Sequence, residues 1–171
     1  LGVVPADGLD LYTVGREREV AQVDADLAAV RDGHGAARVV LGDYGTGKTH
    51  LLEHVAARAR AQGFMVALAS LDPVDAPASN PRRVYRVLMQ SLSYPDQHAG
   101  TGLTPLLDRA RGHDAVKKRF LTDDRHAYLT PALSLWNRID ESAAEPVLDW
   151  LSGAPQDYTP ELNGRYHLYG K

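Results

Sequence analysis

Apolar positions in the first half of the chain follow two different patterns. From Glu17 they recur at helical spacing and predict a helix that ends at Gly33-His34-Gly35, with one face formed by Val20, Val23, Leu27 and Val30. A second helical stripe runs from Thr49 to Ala61, and its apolar residues are Leu51, Leu52, Val55, Ala56 and Ala59. Residues 37–41 and 65–71 are instead short, continuously apolar runs, which are typical of buried parallel strands.

After residue 71 the pattern predicts helices and no further strand. Asn80-Pro81 has the signature of an N-cap followed by a first-turn proline. The helix that follows directs Val84, Val87, Leu88 and Leu92 inward, and its other face carries Arg82, Arg83, Arg86 and Gln90. This polar face is either solvated or a contact for the γ-phosphate of a nucleotide or for a partner. Further helices are predicted at 104–112, 114–121, 127–139 and 146–151.

One motif carries specific chemistry. Residues 42–49 fit the phosphate-binding pattern G-x-x-x-x-G-K-[ST], and they are Gly42, Asp43, Tyr44, Gly45, Thr46, Gly47, Lys48 and Thr49. The motif lies between a predicted strand and a predicted helix, which is the order that this loop requires. Its glycines permit a close approach to phosphates, and backbone N–H groups continuing to His50 would point at them. Lys48 is expected to reach the β- and γ-phosphates, and the Thr49 hydroxyl to bind Mg²⁺.

Two other patterns offer alternative metal chemistry. Residues 50–54, His-Leu-Leu-Glu-His, match the inverted zinc-peptidase signature, although both histidines can equally be packing residues on the helix. Asp72 follows the second apolar run, where an acid lies at the ligand edge of a parallel sheet. It is a candidate for magnesium or substrate binding, with a turn acid as the alternative.

Composition narrows the class of protein. The 171 residues suit one domain, and 44% hydrophobic and 24% charged residues are ordinary for a globular protein. The absence of cysteine excludes disulfides and cysteine-based sites, and no apolar run has the length of a membrane span. These features fit a cytoplasmic protein. A net charge of −3 gives no overall basic field for nucleic acid.

The predicted fold class is therefore α/β, a P-loop NTPase core with a parallel sheet and flanking helices. The core is expected to be incomplete, because no second acid-bearing strand follows Leu92 and two parallel strands make a poor sheet. We expect residues 1–92 to form the N-terminal part of this core and residues 93–171 a mainly helical insertion or subdomain. On this interpretation the chain is the N-terminal portion of a larger ATPase and stops before its Walker B strand.

Residues around the motif resemble known ATPases. Gly15-Arg16-Glu17 is similar to the box that precedes the P-loop in initiator-like AAA+ and STAND ATPases, where it lies beside the adenosine. That resemblance implies contacts to ATP from Val14, Gly15 and Arg16. The whole chain resembles the BREX-type ATP-binding proteins of bacterial phage defence, through this box, the P-loop, Leu71-Asp72-Pro73, Val84-Tyr85 and residues 149–153.

The BREX resemblance implies binding and hydrolysis of ATP with Mg²⁺ inside a multi-protein defence complex. Its implied partners are other subunits or further copies of the chain, with DNA reached only through the intact assembly and no membrane involved. Two alternatives stay open, which are an ATP switch of the STAND or initiator type and a nucleotide-binding module that does not hydrolyse.

Overall fold

The structure, a computed structural model, describes residues 15–74, 76–119, 129–136 and 141–153. These residues are mainly helical, and their helices in chain order are α1 (Glu17–Arg31), α2 (Lys48–Ala61), α3 (Pro81–Gln90), α4 (Thr104–Ala110), α5 (Asp114–Val116), α6 (Leu129–Trp136) and α7 (Glu141–Leu151). A 3-10 turn at Gln97–Ala99 precedes α4. None of the helices described has both the length and the apolar content needed to cross a membrane.

Local sequence signals explain where several helices begin. Asn80 caps α3, because its Oδ1 accepts the backbone N–H of Arg83 at 3.2 Å, and Pro81 occupies the first helical position as predicted. Helix α2 ends at Ala61, just before Gly63, whose φ of 90° is left-handed. Helix α7 differs from the prediction, because it begins at Glu141 and keeps Pro146 in its interior.

The chain divides into two compact units, residues 1–66 and 67–171. In the first unit α1 packs against α2, and the residues that α2 buries are Leu51, His54, Ala56 and Ala59. In the second unit α6 packs against α7 around a cluster of buried apolar side chains, which are Leu107, Ala132, Trp136, Val147 and Leu151. Pro146 inside α7 has no N–H for a helical hydrogen bond, and the next residue, Val147, is fully buried in this cluster.

The predicted parallel sheet is wrong for the part of the chain that the structure describes. No β-strand occurs there, and an isolated antiparallel bridge joins Ser93 to Thr101. Residues 37–41 are irregular, and Val39 and Leu41 are 81% and 88% exposed. In residues 65–71 both Met65 and Leu71 are about half exposed. The incomplete α/β core predicted from these two runs is therefore replaced by helices joined by irregular segments.

The sheet prediction failed because an apolar run specifies only a preference for burial, whereas a strand also needs a hydrogen-bonding neighbour. Residues 37–41 are attached to α1 through the Arg38 side chain, which binds Asp26 with two hydrogen bonds of 2.6 and 2.8 Å. In the second run the Leu68 N–H donates to Ser91 Oγ at 3.0 Å, where a strand would donate to a neighbouring carbonyl. Side chains thus anchor both segments.

The burial of Val147 in the core of the second unit predicts how truncation of this side chain changes the free energy of unfolding. Val147→Ala should lower the free energy of unfolding by about 2 kcal/mol, because it removes two methyl groups from a fully buried site. The matched control is Val74→Ala, since Val74 is 73% exposed and should tolerate the same truncation. Urea unfolding of both variants measures the difference, and equal midpoints would contradict the assignment of this core.

Candidate functional site

The backbone of the 42–49 loop requires glycine at three places. Gly45 and Gly47 have φ angles of 81° and 80°, in the left-handed region that other residues rarely adopt. Gly42 has no room for a side chain, because a Cβ there would lie 2.7 Å from Thr46 Oγ1. Thr46 Oγ1 in turn donates to the Asp43 carbonyl oxygen at 2.8 Å. The loop is therefore a closed curl whose shape depends on these residue types.

The Lys48 side chain crosses this curl. Its Nζ donates to the carbonyl oxygens of Gly42 at 2.7 Å and Asp43 at 2.6 Å. An ammonium has three N–H donors, and these two bonds use two of them. The positive charge is thus held over the loop with one donor not used by either bond, an arrangement that can receive an anionic oxygen.

The loop runs directly into the N-terminus of α2. Gly47 is the capping residue, and no side chain of the described residues caps this end of the 14-residue helix. Such an end carries partial positive charge and favours an anion. Thr49 and His50 lie in the first turn, where Thr49 is exposed and His50 is half-buried, and Tyr44 is fully exposed in the loop.

Arg16, the N-cap residue of α1, binds the backbone of the loop. Its Nη2 donates to the Thr46 carbonyl oxygen at 2.6 Å, and its Nη1 lies 3.8 Å from Glu19 Oε1. The neighbouring Gly15 donates its N–H to Glu17 Oε1 at 3.1 Å. Val14 lies outside the described residues. The structure therefore joins Arg16 to the loop backbone, and the predicted contact of residues 14–16 with adenosine stays a prediction.

An ion pair holds α1 against α2 behind the loop. Asp24 accepts hydrogen bonds from Arg58 Nε and Nη2 at 2.5 and 2.6 Å and from Gln62 Nε2 at 3.2 Å. The bonds from Arg58 are the main reason that the pKa of Asp24 falls below its ordinary value. Arg31 adds a bond to the Gln62 carbonyl oxygen at 2.9 Å and lies 5.7 Å from the centre of the Phe64 ring.

A second pair fixes the segment that leads into the loop. Hydrogen bonds from Arg38 lower the pKa of Asp26, and the same contact raises the pKa of Arg38. Arg38 Nη1 also donates to Gln22 Oε1 at 3.3 Å. The loop is consequently held at Thr46 by the N-cap residue of α1, and the segment before it is held by Asp26 of α1.

Sequence reasoning did not identify these two ion pairs. Their partners are 34 and 12 residues apart, so no short motif marks them. One signal was present, because Asp24 follows Val20 by four residues and precedes Leu27 by three, which puts an acid on the apolar stripe of α1. An acid in such a position needs a cationic partner.

A cavity of about 510 Å³ lies between α1, α2 and residues 36–41. Most of its lining is aliphatic, and the members contributed by the two helices are Val23, Leu27, Val30, Leu51, Leu52 and Val55. Arg16, Glu19, Gln22, Asp26 and Arg38 supply its polar rim. Arg16 and Arg38, which bind the loop and the segment before it, thus also border this mainly apolar cavity.

The alternative metal sites gain no support from the geometry. Within the residues described, no group of three or more histidine, aspartate or glutamate side chains is placed to hold a metal ion. His54 of the zinc-peptidase pattern is buried on α2. Asp72 belongs to the second unit, and its Oδ1 accepts the Val74 N–H at 2.8 Å, as expected for a turn acid.

Comparison with known proteins gives one match. The family model described as BREX system ATP-binding protein BrxC/D matches residues 1–128, which is three quarters of the chain. The matched range contains the 42–49 loop, Arg16 and Arg38, which hold the loop and the segment before it, and all of α2. No curated protein and no solved structure shows significant similarity to the chain.

The ion pair between Asp24 and Arg58 predicts a pH-dependent contribution to stability. Asp24→Asn should lower the free energy of unfolding at neutral pH by roughly 1 kcal/mol or less, since both side chains are more than a third exposed. Because the folded pKa of Asp24 is depressed, this contribution is present above its ordinary value of 3.8 and is lost as the pH falls through the lower folded value.

Urea unfolding over a pH series measures this effect, with Asp108→Asn as the control for loss of an exposed acid. The difference between wild type and Asp24→Asn should shrink below pH 3.8. A difference that stays constant across the series would contradict the role of the Asp24 charge.

Proposed function

This chain belongs to the family of BREX system ATP-binding proteins BrxC/D, and on that premise we propose that its 42–49 loop is where the triphosphate of ATP binds. One observation carries the assignment. The Lys48 ammonium is held across a loop of left-handed glycines, at an N-terminus of α2 that no described side chain caps. Backbone donors, a helix dipole and a fixed cation converge on one small volume, which suits a polyanion.

Each part of the loop has a separate task in this proposal. The N–H groups of residues 45 and 47–50 donate to phosphate oxygens, whereas the Thr46 N–H donates to the Asp43 carbonyl oxygen at 3.4 Å. Lys48 uses its remaining N–H donor for the β- and γ-phosphates. Gly42 and Asp43 keep the ammonium in place by accepting its other two hydrogen bonds. Tyr44 and Thr46 complete the loop, with Thr46 fixed by its bond to the Asp43 carbonyl oxygen.

The residues present also suit Mg²⁺ bound together with the nucleotide. Thr49 is an exposed residue with a hydroxyl in the first turn of α2, which directly follows the loop. Mg²⁺ commonly takes one or two ligands from the protein and the remainder from phosphate oxygens and water. A single threonine oxygen is therefore a sufficient first contact, and the metal would screen the charge of the triphosphate.

The nucleoside would lie toward the start of α1. Gly15 and Arg16 are next to the loop through the bond from Arg16 to the Thr46 carbonyl oxygen, and this proximity supports the contact that the family resemblance implies for residues 14–16. In the cell, ATP bound and hydrolysed here would power or switch a bacterial phage-defence complex. Other subunits would be its partners, and DNA would be reached through the assembly.

Calorimetric titration with ATP tests the phosphate site. Lys48→Ala should weaken binding by about 10- to 100-fold, because it removes charged hydrogen bonds to the phosphates. Lys118→Ala removes the same charge from an exposed position in the second unit and serves as the matched control. If Lys48→Ala and Lys118→Ala bound ATP equally well, the assignment of the loop would be wrong.

Titration with and without Mg²⁺ separates the metal contact from the phosphate contacts. Thr49→Ala should reduce the gain in affinity that Mg²⁺ provides, whereas Thr49→Ser keeps the hydroxyl and should retain it. The same gain in both variants would exclude Thr49 as the metal ligand.

Arg16 should affect nucleotide binding through the shape of the loop. Arg16→Ala removes the bond to Thr46 and should weaken ATP binding by about fivefold, the scale of one hydrogen bond that preorganises a site. Arg18→Ala, on the exposed side of α1, is the control. Adenosine alone separates the two roles of Arg16, because only a direct contact with the nucleoside would weaken adenosine binding as well.

A further inference from the structure

We propose that a cavity in the second unit, lined by Arg82, Arg83 and Arg86 of α3, binds a phosphate-bearing anion. The cavity has a volume of about 710 Å³, and Asn80 and Gln90 complete its polar lining. None of the lining residues that the structure describes belongs to the 42–49 loop, so the cavity does not depend on the function proposed for that loop.

The charge of this lining is one-sided. Among the described residues around the cavity the polar side chains are arginine, asparagine and glutamine, and none of them is acidic. Arg82 and Arg86 are four residues apart and share one face of α3, where like charges destabilise a helix. The chain as a whole carries a net charge of −3, so this concentration of positive charge is local.

The wall that carries the arginines is held in place. Arg83 Nη1 donates to the Val74 carbonyl oxygen at 2.7 Å. This bond does not involve Nε or Nη2 of the same guanidinium. Tyr85 Oη donates to the Leu151 carbonyl oxygen at 2.9 Å, which attaches α3 to the end of α7. Gly153 has a φ of 81°, and a Cβ there would lie 3.0 Å from the Tyr85 ring. The cavity is thus formed by three segments of one unit.

Phosphate is the anion that best matches these donors. A guanidinium presents parallel N–H groups that fit two oxygens of one phosphate, and two neighbouring arginines can share a group with several oxygens. Arg82 and Arg83 lie in the first turn of the ten-residue α3, where the helix dipole adds to their charge, and Arg86 lies in the next turn. Free polyphosphate and a nucleic-acid backbone present this same chemistry.

Two ligands distinguish the two sources. Tripolyphosphate binding is measured by calorimetry and binding of a short DNA duplex by fluorescence anisotropy, both with the full chain carrying Lys48→Ala to weaken the 42–49 loop. In this background Arg86→Gln should weaken phosphate binding by about tenfold, as expected for one charged contact. Arg18→Gln is the charge-matched control on α1, and Arg86→Lys should keep part of the affinity.

Each outcome decides the proposal. Loss of affinity in Arg86→Gln for both ligands supports a general phosphate site, and loss for the duplex alone, with a smaller salt dependence, identifies the nucleic-acid backbone. Absence of binding to either ligand, or equal affinities of Arg86→Gln and Arg18→Gln, would overturn it. Thermal melts of each variant establish that a loss of binding is not a loss of folding.

Discussion

The attachment of the 42–49 loop to α1 is the constraint on which the first unit depends. Glycines let the loop curl, but glycines also make a loop entropically costly to order. Arg16 fixes the middle of the loop at Thr46, and Arg38 fixes the segment before it at Asp26. The pair of Asp24 and Arg58 then keeps α1 beside α2, so that the loop leads into a helix whose N-terminus has a defined direction.

Local signals in the sequence predicted much of this arrangement. The periodicity of α1 and α2, the cap at Asn80 and the glycines of the loop depend on residues within one or two turns of each other, and the structure has each of them. The sheet could not be predicted in the same way. A strand exists only if another strand supplies hydrogen bonds. The sequences of residues 37–41 and 65–71 contain no information on whether such a neighbouring strand is present.

The two anion sites proposed for this protein use different physical means. The 42–49 loop offers backbone N–H groups and a single lysine, which suits a ligand that must be enclosed closely. The cavity on α3 offers long guanidinium side chains, which suit an anion approached from an open surface. Sequence marked the first site by a spacing of residue types. For α3 it left open whether the arginine face is solvated or a contact for a ligand or a partner, and the structure adds the cavity that this face forms with Gly153.

Amide hydrogen exchange with and without Mg-ATP tests most directly whether the 42–49 loop binds the phosphates of ATP, because it reports on the backbone N–H donors themselves. If the loop binds the phosphates, exchange should slow at the amides of residues 45–50, which include the first turn of α2. Protection confined to other residues, or no change in the loop at saturating nucleotide, would contradict the assignment of the 42–49 loop as the phosphate-binding site.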